Sequence, residues 1–180
     1  MDWDLPYHYQ PSSFVIKPAL QEWEQRESVA LRRRVFCEEQ GLFCDTDRDA
    51  IDEHALLLCA IAQVAGMPDR VVGTVRVHQQ SSGVWNGSRL AVESGLRRHL
   101  GLGSGLIELA VRTAHSAGAR VFLAHVQAQN VPLFERLHWH TLEWVQLHDR
   151  PHAFMRADLT HYPQLARPQQ GLLVCNRRVA

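Results

Sequence analysis

The run Arg97–Ser104 (RRHLGLGS) is the part of the sequence whose residue types indicate chemistry most directly. Gly101 and Gly103, one residue apart, let the backbone approach a ligand closely. The apolar periodicity over 106–117 predicts a helix directly after them, and the start of a helix presents unpaired N–H groups and a positive dipole end. The run therefore predicts a phosphate or pyrophosphate site, with the two arginines as charged partners. A plain turn into a helix is the alternative.

A dinucleotide-binding loop of the Rossmann type matches this run poorly. Its third glycine would be Gly105, which comes too early, and the segment about 20 residues further on, 122–125, contains no acidic residue. The run instead resembles the pyrophosphate loop of the GNAT superfamily of N-acetyltransferases. The signature Gln/Arg-x-x-Gly-x-Gly/Ala of that superfamily is matched by Arg98, Gly101 and Gly103.

The elements that position this run alternate between apolar strands and amphipathic helices. The predicted strands cover 13–17, 55–65, 71–78, 84–92, 121–127, 141–148 and 152–159, and the predicted helices cover 18–40, 106–117 and 131–137. Segment 45–53 is predicted to be an acidic, turn-prone loop, and the tail beyond residue 161 is predicted to be loose.

The resulting order, β-α-β-β-β-α-β-α-β-β, resembles the GNAT fold over nearly all of residues 13–160. The resemblance implies an α+β fold with a central, strongly twisted mixed sheet and helices on both faces. It also implies that strands four and five splay apart and that the cofactor lies in the gap. We expect residues 1–180 to form a single domain, with its core at about 13–160 and a tail over 161–180 that is available for a homodimer contact.

The same resemblance implies acetyl-CoA as the donor and assigns its contacts. Backbone groups of Leu90 and Val92 would pair with the pantetheine arm, and Asn130 would bind the arm as well. The implied cofactor-binding residues are Leu90, Ala91, Val92, Arg97, Arg98, His99, Leu100, Gly101, Leu102, Gly103, Ser104, Asn130 and Phe134. Core packing of the strand and helix capping by Asn130 are the structural alternatives.

Residues 133–139 (LFERLHW) resemble the Phe-Tyr-x-x-x-Gly-Phe element of the superfamily, with two departures. The tyrosine that often acts as general acid is replaced by Phe134, and the glycine is replaced by His138. Phe134 cannot donate a proton and is expected only to pack beside the cofactor. Because a thiol pKa is about 8.5, the leaving thiolate needs little help from an acid.

The residues that would bind the acceptor are harder to predict. The attacking amine must lose a proton to a base or to a water relay, and several residues of the sequence could serve as that base. The predicted catalytic residues are Glu39, His125 and Gln127, of which Glu39 is the first choice for a polar substrate-site residue and a candidate for the base. The other candidates are Asp52, Glu53, His54, His78, Glu93 and His152. An exposed helix-end glutamate and a buried polar network on one strand face are the structural alternatives. The acidic loop is expected either to attract a cationic amine or to be a solvated turn. Trp85 and Trp139 are expected either to line a pocket for the acceptor or to pack in the core.

Two further patterns point to a subgroup. The pattern Arg-x-x-Val-Phe-x-x-Glu-Gln within 31–40, with the acidic spacing of 45–52, is similar to bacterial acetyltransferases, some of which are described as nitrogen-starvation-associated. A related pattern occurs in acyl-homoserine-lactone synthases, which share the fold. The leading hypothesis is transfer of an acetyl group to a small amine by direct attack on the thioester. A longer acyl donor and a non-catalytic CoA-binding sensor are the alternatives.

The composition bounds the remaining function classes. The 19 basic and 19 acidic residues give zero net charge, which argues against a nucleic-acid partner. The histidines show no metal-ligand spacing, so no metal is expected. The four cysteines form no Cys-x-x-Cys pair, and no signal peptide or membrane-spanning run is visible, so a cytoplasmic protein with free thiols is expected. Cys37 and Cys59 are expected in the core.

Overall fold

The computed structural model describes residues 11, 13–97, 101–167, 169 and 171–175. Within these residues, one mixed sheet runs in the order β6-β7-β5-β4-β3-β2-β1-β8. Its strands are β1 (Ser13–Pro18), β2 (Leu56–Val64), β3 (Met67–Ser81), β4 (Val84–Val92), β5 (Val121–Gln127), β6 (Trp139–Leu147), β7 (Arg150–Ala157) and β8 (Leu172–Cys175). The predicted α+β fold with a mixed central sheet is confirmed.

Three α-helices connect the strands in the described part of the chain: α1 (Glu22–Arg33), α2 (Leu102–Ser116) and α3 (Val131–Arg136). The first begins later than predicted because Pro18 still belongs to β1 and the N–H of Ala19 donates to the carbonyl of Leu57. A π-helical segment, Arg34–Glu39, continues α1. Gly118, with φ of 92°, follows the end of α2, as expected of a glycine after a helix.

The two long helices cover opposite faces of the sheet. Leu58 and Ala60 of β2 belong to the main core together with the apolar side chains of α2. Cys59 and Ile61, which alternate with them, belong to a second cluster with Leu31 of α1. Since side chains alternate between the faces of a strand, the sheet has an α1 face and an α2 face, as predicted.

Strands β4 and β5 part halfway along their length. Their parallel pairing runs from Val84 and Val121 to Gly87 and Ala124, whereas β4 stays paired with β3 up to Val92 and β5 stays paired with β7 up to Gln127. A bulge in β4 lies just past the last shared pair, where Arg89 has a φ of 56°. Because a bulge bends its strand, the predicted splay has a local cause.

The prediction that the tail beyond residue 161 is loose is wrong for its described residues. Strand β8 pairs antiparallel with β1, so the segment beyond residue 161 extends the sheet. Tyr162 and Leu165 are buried in the main core. The Tyr162 hydroxyl donates to the carbonyl of Leu137 and accepts from Nε1 of Trp139. The sequence did not indicate these buried contacts, because prolines interrupt the apolar periodicity that would predict a strand or a helix.

The cysteines divide between core and boundary. Cys59 is fully buried, as predicted, and burial raises the pKa of its thiol to about 12. Cys37 is only half-buried, in the π-helical segment, so the prediction of a core position is wrong for this residue.

In the described ranges, no helix is long and apolar enough to cross a membrane.

Candidate active site

A cavity of about 400 Å³ lies where β4 and β5 part. It passes between the two faces of the sheet, because its walls include side chains from both. On the α2 face it is lined by Ile107, Ala110, Phe122, Ala124, Phe134 and Trp139. On the α1 face it is lined by Phe36, Gln40, Phe43, Arg76, His78, Ser88, His125, Gln127, His148 and His152. A ligand in the cavity would therefore contact both β4 and β5 at the point where their pairing ends.

The part of β4 beyond Gly87 forms one edge of the gap, as the prediction for Leu90–Val92 requires. Leu90 lines the cavity, whereas the side chain of Ala91 is buried in the cluster beneath α1. The carbonyl of Val92 accepts a hydrogen bond of 2.8 Å from Nε of Arg97. In this arrangement Arg97 is bound to the strand, although the sequence prediction places it on a pyrophosphate.

The start of α2 carries the glycines of the predicted phosphate loop. Gly101 precedes the helix with φ of 66°, a left-handed conformation that favours glycine. A Cβ on Gly103 would meet only Cδ2 of Leu133, at 4.0 Å, whereas one on Gly105 would lie 2.5 Å from Cδ1 of Ile16. Gly103 thus leaves open space at the helix start, and Gly105 permits close packing of α2 on β1.

The remaining loop residues divide into two groups. Leu102 is buried, and Ser104 is half-buried in the first turn of α2, where N–H groups have no partner within the helix. Arg98, His99 and Leu100 lie outside the described residues.

Asn130 and Phe134 border the cavity from the α3 side. Asn130 occupies the N-cap position of α3, yet its side chain makes no capping hydrogen bond. Phe134 is buried against Trp139, with ring centroids 5.0 Å apart. His138, which stands where the family motif has glycine, adopts a left-handed φ of 62°. The backbone conformation that glycine would favour is therefore kept despite the substitution.

Glu39 lies at the end of the π-helical segment, away from the cavity wall. Its carboxylate forms an ion pair with Nη2 of Arg97, and both side chains are more than a third exposed. The prediction of Glu39 as a polar substrate-site residue thus meets a side chain that is already paired with a cation.

His125 and Gln127 share the α1 face of β5, as predicted, but the expected burial is wrong. His125 is exposed to the cavity and stacks on Phe154, with ring centroids 4.7 Å apart. Partial desolvation, with a further contribution from His152, lowers the pKa of His125 below its ordinary value. Nε2 of Gln127 donates to Oε1 of Gln40 at 3.0 Å. These side chains are accessible because the parting of β4 leaves no neighbour to cover them.

Two further histidines among the candidates line the cavity. His78 faces it from β3, and its buried Nδ1 has no hydrogen-bond partner among the described residues. Burial, the charge of Arg76 and the proximity of His54 lower the pKa of His78. His152 is buried, and its Nδ1 lies 2.9 Å from the carbonyl of Arg150. The candidates Glu53, His54 and Glu93 are absent from the described cavity wall.

The acidic loop is not a solvated turn, and its buried carboxylates are not free to bind a cationic amine. Asp47 and Asp52 are held by the buried Arg32, at 2.7 and 2.6 Å. Arg76 also binds Asp52, as well as Asp49. Burial alone would raise the pKa of Asp52, but the hydrogen bonds from Arg32 and the charges of both arginines hold it well below its ordinary value. Asp52 is therefore a structural anion and not a base.

Sequence reasoning gave no role in the site to several residues of the cavity wall, among them Phe43, Arg76, Arg89 and His148. The guanidinium of Arg89 lies 4.6 Å from the ring centroid of Phe43, and that ring packs edge-on against His148. Arg76 could have been found, because it lies two residues before His78 on the same strand face. Phe43 and His148 come from loops, where no periodicity marks them.

The two tryptophans that were predicted either to line a pocket or to pack in the core have different positions. Trp139 is buried and also lines the cavity, whereas Trp85 packs in the core and is not part of the described wall. Among the residues that the structure describes, no group of three or more His, Cys, Asp or Glu side chains is arranged to hold a metal ion.

The chain belongs to the acetyltransferase (GNAT) family, whose family model matches residues 17–139. A comparison with curated proteins finds no significant match. The family match spans the sheet from β1 to the start of β6 and includes the glycine loop, β4 and α3. Members of this family are acyltransferases, and the parted strands are where the family resemblance places the donor.

Solved structures share the fold at low sequence identity. A protein from Lactobacillus plantarum assigned as an N-acetyltransferase has a TM-score of 0.71 and 22% identity, covering 80% of this chain and 97% of that chain. An aminoglycoside 6'-N-acetyltransferase complexed with coenzyme A has a TM-score of 0.63 and 16% identity, covering 78% and 94%. The AHL synthase LasI has a TM-score of 0.64 and 15% identity, covering 88% and 99%.

Proposed function

We propose that this protein is an acetyl-CoA-dependent N-acetyltransferase that acetylates the amine of a small molecule by direct attack on the thioester. The observation that carries the proposal is the cavity at the parting of β4 and β5, which connects a donor side beneath α2 and α3 with an acceptor side beneath α1. Direct transfer requires both substrates at one point, and a passage through the sheet provides it.

The residues on the donor side fit the proposed donor. The glycine at 103 leaves room for a pyrophosphate at the first turn of α2, where N–H groups and the helix dipole favour an anion. The edge of β4 at Leu90 and the uncapped amide of Asn130 are available for the pantetheine arm. Bound there, acetyl-CoA would supply a thioester carbonyl at the gap between the strands.

His125 is the proton acceptor in this proposal. It is the first residue of β5 past the shared pairing with β4, it faces the acceptor side, and its ring is held by stacking on Phe154. Its lowered pKa keeps the imidazole neutral near pH 7, which is the form that accepts a proton. As the amine nitrogen bonds to the carbonyl carbon, the C–S bond breaks and the proton of the amine passes to His125.

No residue is needed to protonate the leaving sulfur. Phe134 stands at the position of the family tyrosine and packs against Trp139, so it shapes the donor side without proton chemistry. A thiolate with a pKa of about 8.5 is a stable leaving group near neutral pH. Gln127, tied to Gln40, holds the acceptor side of β5 against the segment after α1 and is a positioning residue.

Calorimetric titration with acetyl-CoA, octanoyl-CoA and desulfo-CoA tests the donor assignment. The proposal expects micromolar binding of acetyl-CoA, with an N-acetylated amide and free CoA formed on addition of an amine acceptor. Tighter binding of octanoyl-CoA, with transfer of the octanoyl group, would favour the long-acyl alternative. Binding without transfer to any amine would favour the sensor alternative, and no binding by the folded protein would overturn the CoA assignment.

A further inference from the structure

The acceptor side of the cavity is walled by rings. We use the name acceptor chamber for the space bounded by Phe36, Phe43, His78, His125, His148 and His152. The rings come from different elements: Phe36 and Phe43 lie in and after the π-helical segment, and the histidines lie on β3, β5, β7 and the β6–β7 turn. Planar rings on several sides suit a flat apolar body, because stacked and edge-on aromatic contacts add to simple burial.

The ring walls are held in place by contacts of their own. Phe43 packs edge-on against His148 with centroids 4.9 Å apart, and Arg89 covers Phe43. His125 is stacked on Phe154. Pre-positioned walls lower the ordering cost of binding, so a rigid planar ligand benefits most from them.

The charges that line the chamber do not suit an acceptor with several ammonium groups. Among the described residues that line the cavity, the permanently charged ones are Arg76 and Arg89, and no aspartate, glutamate or lysine is present. The carboxylates of the nearby acidic loop are bound to arginines instead. Asp47 and Asp52 are buried, with side-chain exposures of 0% and 9%. An acceptor that carries several ammonium groups would therefore find no anionic partner among these residues.

The arginines are in turn neutralised by those carboxylates. Arg76 donates to Ser88, Asp49 and Asp52. Arg89 donates to the carbonyl of Asp47 and to Asp49. Since the guanidiniums are occupied, the chamber offers an acceptor neither a free cation nor a free anion.

We infer that the acceptor is a small monoamine with a flat, apolar ring, an arylalkylamine in chemical class, and that polyamines and aminoglycosides are poor acceptors. The inference rests on the proposed function and adds its substrate class. The cavity of about 400 Å³ also has to hold the end of the donor, so it leaves room for one ring and a short chain. The reacting amine is expected to lie toward His125, with the ring between Phe36, Phe43 and His148.

The test is a comparison of 2-phenylethylamine, spermidine and kanamycin as acceptors at saturating acetyl-CoA. The full chain is used, and kcat/KM is measured by thiol release and by mass spectrometry of the product. We expect kcat/KM for 2-phenylethylamine to exceed that for spermidine by at least about 10-fold, the discrimination available from one well-fitted apolar group. Equal or better use of spermidine or kanamycin would overturn the inference.

Two variants make the test specific to the chamber. Phe43→Leu removes a ring wall and is expected to raise KM for 2-phenylethylamine by about 5-fold, in keeping with about 1 kcal/mol for one aromatic contact, while KM for acetyl-CoA is unchanged. Trp144→Leu, a matched loss of an exposed aromatic outside the cavity wall, should change neither value. If Phe43→Leu behaves like Trp144→Leu, the ring walls do not select the acceptor.

Asn86→Asp places one carboxylate in the cavity wall at constant side-chain size. Asn86 lines the cavity and donates to Gln80. We expect the ratio of kcat/KM for spermidine over 2-phenylethylamine to rise by about 5-fold, in line with about 1 kcal/mol for one ion pair at a partly exposed site. An unchanged ratio would contradict the charge argument.

Failure of the inference and failure of the proposed function are distinguishable. If acetyl-CoA binds and 2-phenylethylamine is not acetylated, the acceptor inference is overturned while the donor site stands. If acetyl-CoA does not bind to the folded protein, the proposed function itself is overturned, and with it the inference.

Discussion

Glu39 and Arg97 form an ion pair that joins the end of the π-helical segment to the segment that follows β4. The same guanidinium donates to the carbonyl of Val92, at the end of the strand that borders the donor side. The pair thus connects the π-helical segment, which carries Phe36 of the acceptor chamber, to the end of β4. In our proposal Glu39 therefore holds the π-helical segment in place, and His125 accepts the proton.

Substitution of Glu39 and of His125 should separate these two roles. Glu39→Gln is expected to lower kcat by less than about 5-fold, because an ion pair this exposed is worth about 1 kcal/mol or less. His125→Gln is expected to lower kcat by about 100-fold or more, the usual contribution of a positioned base. Steady-state kinetics at saturating acetyl-CoA and acceptor would check both. The reverse order of effects would return the base to Glu39.

The pH dependence of kcat follows from the lowered pKa of His125. The base must be neutral, and burial and the nearby His152 extend the neutral form to lower pH. The loss of activity that is due to protonation of His125 should therefore occur only as the pH falls below about 6.5. His125→Gln, measured in parallel, should lack this limb. A limb that persists unchanged in the variant would belong to another group, such as the amine itself.

The glycine loop is tested by a pair of substitutions at Gly103. Gly103→Ala should leave stability nearly unchanged, because its Cβ meets only Leu133 at 4.0 Å. It should weaken donor binding far less than a charged side chain does, because the family signature accepts alanine at this position. Gly103→Glu sets a negative charge against the phosphates, and like-charge contacts cost several kcal/mol, so the Kd for acetyl-CoA should rise by about 100-fold or more. Calorimetry gives both values, and equal binding by the two variants would mean that the loop is only a turn.

The buried ion-pair cluster should govern acid stability. Asp52 has a folded-state pKa below its ordinary value, so its contribution to stability is present above the unfolded pKa of about 3.9 and is lost as the pH falls toward the folded pKa. Asp52→Asn should cost about 3 kcal/mol at neutral pH, since it leaves Arg32 and Arg76 short of a partner.

Urea unfolding would measure the cost of Asp52→Asn. The difference from the unmodified protein should shrink when the pH is lowered below about 4, because protonation then removes the same charge. Asp69→Asn is the control: its carboxylate pairs with Arg70 at the surface, so it should cost less than about 1 kcal/mol. A constant difference across pH would contradict the linkage argument.

Much of the fold could be predicted from the sequence because its signals are local. The apolar run around Cys59, the glycines at 101 and 118, and the helical period of α2 each define an element without reference to the rest of the chain. The late start of α1 and the added strand β8 could not be predicted in this way. Both depend on pairing with β1 or β2, which is a tertiary effect.

The site was predictable in outline, and its charges were not. The glycine loop is recognisable from its glycine spacing, and the two-residue spacing of His125 and Gln127 places them on one face of β5. The role of the acidic loop depends on Arg32, Arg76 and Arg89, which approach it from three different elements, so no sequence spacing reveals that its carboxylates are already neutralised. The burial expected for His125 was wrong because β4 turns away at Arg89.

The most direct test of the central claim is transfer of an isotopically labelled acetyl group from acetyl-CoA to a small amine by the purified protein. We predict that the labelled N-acetyl amine accumulates in proportion to free CoA, and that the transfer is lost in Gly103→Glu and strongly reduced in His125→Gln. Binding of acetyl-CoA with no labelled amine from any acceptor would contradict the account and leave the protein a CoA-binding module.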